Sequence, residues 1–277
     1  MGSMNVYGLQ FDIAWEDKAA NFATVRRLLV DSCPEPGALV VLPEMFATGF
    51  SMNAGSIAED ENGETVRFLA EMAERWRCHI LGGVVTRSAA GEFFNRSLLL
   101  GPTSTVAAHY TKMYPFTPGG ERDHYTAGEH PVVVPLCPAE DTAKNTTGGK
   151  PDFHLAPFIC YDLRFPEAFR DAARRGATLY AVIASWPEAR IGHWVALLQA
   201  RAIENQAYVI GVNRCGTDPF FRYTGHSRIF GPDGATLAEA GEGEAVLCAE
   251  IDPEVLVAYR GRLPFLQDMR PASVPPV

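Results

Sequence analysis

The feature of this sequence that most constrains its fold is a series of short apolar runs, rich in β-branched residues and mostly continuous rather than alternating. A strand with one face in water alternates apolar and polar residues, whereas a strand covered on both faces is apolar throughout. The runs therefore predict strands inside a layered domain, at residues 38–43, 79–85, 97–100, 106–110, 132–136, 153–160, 178–185, 207–212, 227–230 and 245–251.

Segments with helical periodicity separate several of these strands. Apolar residues fall on one face in residues 22–29 and 66–76, a third helix begins near Pro166 and ends at Gly176, and a fourth covers residues 193–205. Intermixed strands and helices favour an α/β or α+β sandwich, and neither an internal repeat nor an interdomain linker is visible. The sequence thus predicts a single domain over residues 5–270.

Three segments are expected to lie outside the packed elements. Residues 1–4 are typical of a cloning scar, residues 138–151 predict a long exposed hairpin loop, and the proline-rich residues 271–277 predict an extended C-terminal tail. The start of the chain lacks the basic and apolar regions of a signal peptide, which favours a cytoplasmic protein with free thiols.

Composition and motif content argue against several classes of function. The chain carries 24 Lys and Arg against 33 Asp and Glu, a formal net charge of -9, which disfavours nucleic acid as a partner. No run reaches the ~18 apolar residues of a membrane helix, so no membrane partner is expected. The cysteines lack CxxC spacing and the histidines lack HExxH spacing, so no metal site is predicted. No GxSxG elbow and no glycine-rich phosphate loop occurs.

Chemically capable residues follow four of the apolar strands: Glu44, Cys160, Trp186 and Asn213. In sheets covered by helices, ligands bind at the carboxyl ends of strands, because loops and helix N-termini converge there. The four strand ends therefore predict one pocket whose lining residues are distant in sequence.

Cys160 is the strongest candidate for that pocket. It ends a buried strand and precedes a helix that begins near Pro166, with Arg164 nearby, and such an environment favours thiolate over thiol. Backbone N–H groups at such a turn can also bind an oxyanion. The alternative is a small buried hydrophobic residue at the end of a strand, since cysteine is commonly buried and inert.

Glu44 and Lys112 are the other two candidates. A carboxylate at the end of a buried strand in apolar company is expected to have a raised pKa, which suits a general base; the alternative is a cap on nearby backbone amides. Lys112 is a lone cation among aromatic residues and can stabilise an oxyanion; the alternative is an ordinary surface lysine whose stem lies on apolar side chains.

Three segments together resemble the carbon–nitrogen hydrolase (nitrilase) superfamily. LPEMFATGF is similar to its glutamate motif, YTKMYPF to its lysine motif and FICYDLRFPE to its cysteine motif, and the three motifs stand in the family's order. The segments ASWPEARIGHWVALLQARAIENQAYVIGVNR and GHSRIFGPDG resemble the same family, so the likeness spans nearly the whole chain. One departure is KMYP in place of the common Lys-x-His-Leu, in a loop on which the shape of the pocket depends.

The resemblance implies a four-layer αββα sandwich that usually pairs into a larger dimeric sandwich, as a dimer or larger homo-oligomer. It also implies hydrolysis of a non-peptide C–N bond of a small-molecule amide without metal or cofactor. Carried over by residue, it implies Cys160 as the nucleophile, Glu44 as the general base, and Lys112 with the backbone N–H of Tyr161 as the oxyanion site. Glu121, in GGERDHY, is similar to a second glutamate of the family.

Within the superfamily, LPEMFATGFSM, CYDLRFPE and ENQAYV are most similar to the omega-amidases. The resemblance implies a thioester intermediate and release of ammonia from a monoamide of a small dicarboxylic acid, such as 2-oxoglutaramate. The free carboxylate of that substrate needs a cation, for which Arg164 is preferred over Arg122 and Arg190; an ion pair of Arg164 with Asp162 or Glu167 is the alternative. The candidate pocket walls, each also a candidate for core packing, are Phe50, Tyr114 and Trp186.

Two other functions stay open from the sequence. The first is hydrolysis by another branch of the superfamily, a nitrilase or an N-carbamoyl amino-acid amidohydrolase. The second is a non-catalytic binding protein of the same fold, against which the presence of Glu44, Lys112 and Cys160 speaks.

Overall fold

The computed structural model describes residues 2–136 and 153–270. Helices and strands follow one another there in this order: β1 (Met4–Gln10), α1 (Lys18–Ser32), β2 (Leu39–Val41), α2 (Ala54–Ile57), α3 (Glu64–Trp76), β3 (His79–Arg87), β4 (Phe93–Leu100), β5 (Val106–Thr111), β6 (Val134–Leu136), β7 (Phe153–Ile159), α4 (Pro166–Arg174), β8 (Leu179–Ala184), α5 (Ile191–Asn205), β9 (Tyr208–Asn213), β10 (Cys215–Thr217), β11 (Arg222–Thr224), β12 (Arg228–Phe230), β13 (Thr236–Glu239), β14 (Ala245–Ile251) and α6 (Pro253–Arg262). None of these helices is long and apolar enough to cross a membrane.

Two six-stranded sheets form the centre of the part of the chain that the structure describes. The first has the strand order β14-β1-β2-β3-β4-β5 and the second β13-β12-β9-β8-β7-β6. The strands β1, β2 and β3 are parallel, as are β7, β8 and β9, and the outer strands pair antiparallel. Parallel strands end at the same edge of a sheet, so the loops that follow β7 and β8 lie side by side.

Helices cover the outer faces of the two sheets, which pack against each other. The helices α1 and α3 contribute Val25 and Leu69 to an apolar cluster with the first sheet, and α4 and α5 contribute Phe169 and Leu198 to a cluster with the second. Strand β1 contacts β9 and β4 contacts β7, which joins the two sheets into one core. The predicted single-domain αββα sandwich is confirmed.

The sheets approach each other closely at Gly8 of β1. A Cβ atom at this position would lie 2.9 Å from Cγ2 of Val212 in β9, which is closer than carbon atoms pack. Glycine therefore allows β1 to lie against β9.

The predicted elements agree with the structure best in the interior of the chain. The segments at 79–85, 178–185, 193–205, 207–212 and 245–251 correspond to β3, β8, α5, β9 and β14. The sequence prediction omits β1, the helices α2 and α6, and the short strands β10, β11 and β13. Strand β1 begins at Met4, whose side chain is buried, so packing starts one residue before the expected domain boundary at residue 5.

The predicted strand at 153–160 is one residue too long. Strand β7 ends at Ile159, and Cys160 begins a 3₁₀ helix, Cys160–Arg164. Strands β6 and β7 pair antiparallel, with Leu136 opposite Phe153. The hairpin loop predicted at 138–151 and the tail at 271–277 lie outside the described residues.

Candidate active site

A cavity opens where β7 and β8 end. Its lining is mostly aromatic and includes two arginines and one thiol. The residues that line it are Phe50, Phe116, Cys160, Tyr161, Arg164, Ser185, Trp186, Pro187, Arg190, Phe221 and Tyr223. Five residues predicted for the site from the sequence, namely Phe50, Cys160, Tyr161, Arg164 and Trp186, thus lie on one cavity.

Cys160 lies in the tight turn at which β7 ends and the 3₁₀ helix begins. Its φ of 48° is in the left-handed region, which side chains other than glycine rarely occupy. The carboxylate of Asp162 holds the turn by accepting a hydrogen bond from the backbone N of Ile159 at 2.9 Å. The thiol itself points toward the backbone oxygen of Ser185, 4.0 Å from Sγ.

The surroundings of the Cys160 thiol favour its protonated form. Burial raises its pKa well above the usual range, the carboxylates of Glu44 and Glu121 raise it further, and the ammonium of Lys112 opposes them only in part. The expected thiolate-favouring environment is therefore wrong. The 3₁₀ helix separates the thiol from the N-terminus of α4, and Arg164 lies over the Trp186 ring instead, 4.7 Å from its centroid.

Glu44 follows β2 and is fully buried. Its Oε1 accepts hydrogen bonds from Nζ of Lys112 and Nδ2 of Asn95, both at 2.8 Å, and its Oε2 accepts one from the backbone N of Ser185 at 2.8 Å. The expectation of apolar company is wrong, because these three donors surround the carboxylate. The Ser185 bond joins the loop after β2 in the first sheet to the loop after β8 in the second.

The turn that carries Glu44 crosses β3 at very short range. A Cβ atom at Gly83 would lie 2.4 Å from the backbone N of Met45 and 2.8 Å from Cα of Glu44. Because only glycine leaves room for this backbone, Gly83 fixes how close Glu44 comes to the sheet.

Lys112 follows β5 and is 1% exposed, so the surface-lysine alternative is wrong. Its Nζ donates to Oε2 of Glu121 at 2.8 Å and to Oε1 at 3.1 Å, in addition to Glu44. Burial opposes the charge, but the two carboxylates outweigh it and raise the pKa of Lys112. The ammonium thus stays charged within a cluster that holds two carboxylates.

Glu121 lies in the same cluster, as the family resemblance implies. It is fully buried, and its Oε2 also accepts from the backbone N of Phe116 at 2.6 Å. Asn95 of β4, which sequence reasoning missed, donates through Nδ2 to Oε1 of both Glu44 and Glu121 at 2.8 Å. No sequence signal singled it out, because the same strand also carries Arg96 and Ser97 and the partners of Asn95 lie on other segments.

Asp162 is a second residue whose role the sequence reasoning missed. It is fully buried, and its carboxylate accepts from the hydroxyl of Tyr110 at 2.7 Å and from the backbone N of Tyr114 at 2.9 Å. Burial raises the pKa of Asp162 to about 7, although these donors and Lys112 favour its charged form. Asp162 therefore ties the turn of the nucleophile candidate to the lysine loop.

Both arginines of the cavity are free of acidic partners. Within residues 2–136 and 153–270, neither Arg164 nor Arg190 forms an ion pair with a carboxylate, so the alternative pairing of Arg164 is not found there. Arg164 contacts Nδ1 of His193 at 3.4 Å, and Arg190 lies over the Phe116 ring, 5.5 Å from its centroid.

The remaining predicted residues divide between the cavity and the surrounding structure. Oδ1 of Asn213 accepts a hydrogen bond from the backbone N of Trp186 at 2.7 Å, and Nδ2 of Asn213 donates one to the backbone O of Trp186 at 3.0 Å. Asn213, at the end of β9, therefore supports the cavity wall. Tyr114 stacks on Phe165, with ring centroids 3.8 Å apart, and does not line the cavity. Arg122 lines a separate surface groove.

The sequence and the fold are similar to those of known proteins. A family model described as carbon–nitrogen hydrolase matches residues 6–261. "Omega-amidase YafV" from Yersinia enterocolitica is 38% identical over 270 residues, which cover 97% of this chain and 97% of that protein. "2-oxoglutaramate amidase" from Bacillus subtilis is 30% identical over 263 residues, 95% of this chain and 96% of that protein.

A solved structure is similar over the whole chain. The crystal structure of XC1258 from Xanthomonas campestris, a CN-hydrolase superfamily protein with an arsenic adduct in the active site, superimposes with a TM-score of 0.87 at 32% identity. The superposition covers 99% of this chain and 100% of that one.

Proposed function

This chain belongs to the carbon–nitrogen hydrolase family, and from that membership and the geometry of its cavity we propose that it is an omega-amidase. Its substrate is a monoamide of a small dicarboxylic acid, of the 2-oxoglutaramate class, and its products are ammonia and the free acid. One observation carries the proposal: the Cys160 thiol lines the same cavity as two arginines that have no carboxylate partner among the described residues, and it is electrostatically affected by the buried cluster of Glu44, Lys112 and Glu121.

The first half of the reaction needs a base, because burial and the neighbouring carboxylates raise the pKa of the Cys160 thiol. Glu44 takes the proton from Sγ of Cys160 as the sulfur attacks the amide carbon. The oxyanion that forms is stabilised by Nζ of Lys112 and the backbone N–H of Tyr161; losing one such donor costs about 3 kcal/mol. Glu44 then returns the proton to the nitrogen, the C–N bond breaks, and ammonia leaves a thioester on Cys160.

Water completes the cycle. Glu44 accepts a proton from the water that attacks the thioester carbon, the same donors stabilise the second oxyanion, and the C–S bond breaks with the proton returning to sulfur. The acid product leaves, and Cys160 is again a thiol. Glu121 and Asn95 hold Lys112 and Glu44 in place through both halves.

The arginines account for the second carboxylate of the substrate. Arg164 and Arg190 lie over aromatic rings of the cavity and have no acidic partner among the described residues. A guanidinium that no described carboxylate neutralises, at the wall of a cavity, is suited to a ligand carboxylate. This feature supports a monoamide of a dicarboxylic acid over a neutral amide.

We also propose that the protein is a cytoplasmic homo-oligomer of two or more copies. The free thiols of Cys33, Cys78, Cys160, Cys215 and Cys248 fit a reducing compartment. Sedimentation of the full chain is expected to give at least twice the 30.2 kDa of one copy, and a single-chain mass would contradict the oligomer.

An ammonia-release screen tests the amidase proposal. The substrates are oxo-acid monoamides of four, five and more carbons, with neutral amides, esters, nitriles and N-carbamoyl amino acids beside them. We expect the four- or five-carbon monoamides to be preferred, and activity to be lost in C160A but kept in C33A, a matched change at an exposed thiol.

Each alternative has its own signature in the screen. Activity on nitriles alone would point to a nitrilase, and carbon dioxide released together with ammonia would point to an N-carbamoyl amidohydrolase. Full amidase activity in C160A would contradict the mechanism, and binding without turnover would indicate a non-catalytic protein.

A further inference from the structure

One wall of the cavity comes from a segment that carries none of the residues in the proposed mechanism. Phe221 and Tyr223 line the cavity and belong to the hairpin formed by β10 and β11, in which Thr217 pairs with Arg222. Phe221 is 40% exposed and Tyr223 only 2%, so Phe221 lies at the open end of the cavity and Tyr223 lies deeper.

Asp218 holds both aromatic residues in place. Its Oδ1 accepts from the backbone N of Phe220 at 2.7 Å and of Phe221 at 2.8 Å, and its Oδ2 accepts from the hydroxyl of Tyr223 at 2.6 Å. The carboxylate is 1% exposed, so water does not compete for these bonds. The position of the aromatic wall therefore depends on one side chain.

A buried arginine fixes this hairpin to the first sheet. The guanidinium of Arg214 lies over the Tyr223 ring, 4.5 Å from its centroid, and its Nη1 is 3.9 Å from Oδ2 of Asp218. Its Nη2 donates to Oδ1 of Asp12 at 2.8 Å, just beyond the end of β1. The hairpin is thus held from inside the molecule.

An ion pair fixes the outer side of the hairpin to the segment that carries Arg190. Arg222 of β11 bonds Oε1 of Glu188 at 2.5 Å, and Glu188 begins the 3₁₀ helix Glu188–Arg190. This exposed ion pair therefore connects the segment of the aromatic wall to the segment of one cavity arginine.

We propose that this hairpin sets the chain length of the substrate, with Phe221 as a specificity-determining residue and Asp218 as a positioning residue; the inference rests on the proposed amidase function. A monoamide reacts only when its amide carbon reaches Sγ of Cys160 while its carboxylate reaches an arginine. A longer chain must displace Phe221 at the open end, and a shorter chain cannot span the two ends.

The test is a chain-length profile of kcat and KM over monoamides that differ by single methylene groups, for wild type, F221A and D218N. In a pocket that fits its substrate, one added or missing methylene group changes kcat/KM by about 10- to 200-fold. We expect F221A to reduce the discrimination against the next longer monoamide by about tenfold, because a longer chain no longer has to displace the Phe221 ring. D218N is expected to raise KM for the preferred monoamide more than it lowers kcat, since the wall moves and the Cys160 turn does not.

A matched control separates this role from a general effect on turns. Asp233 accepts a hydrogen bond from the backbone N of Ala235 at 3.0 Å, in the turn between β12 and β13, and lies outside the cavity. D233N should keep the wild-type length profile. Because Phe221 is partly exposed, F221A keeps the inference testable if D218N does not fold.

The outcomes distinguish the inference from the function on which it rests. A wild-type enzyme that hydrolyses monoamides while F221A and D218N keep its length profile and its KM overturns the inference and leaves the amidase proposal standing. A wild-type enzyme that releases ammonia from no monoamide overturns both.

Discussion

At the scale of single residues, the charge of the buried cluster explains why the thiol needs a base. Glu44 and Glu121 share one cation, Lys112, and all three side chains are at most 1% exposed. A thiolate formed by losing its proton to water would add a further negative charge to this cluster, which is costly in a buried site. Transfer of the proton from Cys160 to Glu44 keeps the total charge constant, so the geometry favours a proton transfer coupled to attack.

This reasoning predicts that E44Q separates thiol reactivity from catalysis. Removing the carboxylate charge removes one cause of the raised pKa of Cys160, so the pH at which the thiol is alkylated should move down. Ammonia release should fall by about 10²–10⁴-fold, because no base remains. Alkylation by iodoacetamide as a function of pH, with steady-state ammonia release, measures both.

E59Q provides the matched control for this prediction. Glu59 is also a buried carboxylate, bonded by the backbone N of Thr65 at 2.8 Å, but it does not line the cavity. E59Q should leave the alkylation profile and the activity unchanged. An E44Q variant whose alkylation moves to higher pH would contradict the electrostatic account.

At the scale of elements, strand β3 determines the position of the base. G83A would place a Cβ atom 2.4 Å from the backbone N of Met45, so the turn after β2 must move. A displacement of about 1 Å at a reacting group can cost about 10²-fold in rate, and overpacking costs about 1–3 kcal/mol of stability. We therefore expect G83A to lose kcat by about 10²-fold, measured by ammonia release beside urea denaturation.

The neighbouring glycine is the control for that substitution. A Cβ atom at Gly82 meets only side-chain carbons of Leu69 and Phe46, at 3.1 Å, and these can shift without moving the Glu44 turn. G82A should keep its activity even where its stability falls. Equal losses of kcat in G82A and G83A would mean that β3 does not position Glu44 in this way.

The elements also show which parts of the site were predictable. Glu44 and Cys160 could be found from the sequence because each follows an apolar strand at the carboxyl edge of a covered sheet. Asn95 and Asp162 could not, since their importance comes from partners on other strands and loops. Strand β1 begins at Met4, within the four residues that are typical of a cloning scar. Strands β10 and β11 are three residues each, too short to show a period.

At the scale of the whole molecule, the site lies on the seam between the two sheets. The first sheet supplies Glu44, Asn95 and Lys112 at or beyond its strands, and the second supplies Cys160 and Ser185. The bond from the backbone N of Ser185 to Oε2 of Glu44, at 2.8 Å, crosses that seam. The geometry of the site therefore depends on how the two sheets pack, and the close approach of Gly8 to Val212 is part of that packing.

The net charge of the molecule opposes the substrate that the cavity attracts. The formal charge of -9 repels a carboxylate-bearing monoamide at long range, whereas Arg164 and Arg190 attract it at contact in the proposed complex. Raising the ionic strength from about 0.01 to 0.15 M shortens the Debye length from about 30 to 8 Å, which screens the repulsion but affects the enclosed contact less. We expect kcat/KM for an anionic monoamide, relative to a neutral amide of equal length, to rise about two- to fivefold.

Steady-state ammonia release at the two ionic strengths measures this ratio, and the neutral amide corrects for any general effect of salt on the enzyme. R190Q tests which charges are responsible. Because Arg190 acts at contact, its loss should lower the ratio at both ionic strengths by a similar factor and leave the rise with salt in place. A ratio that falls with salt in the wild type would mean that the cavity arginines, rather than the acidic surface, control the approach of the substrate.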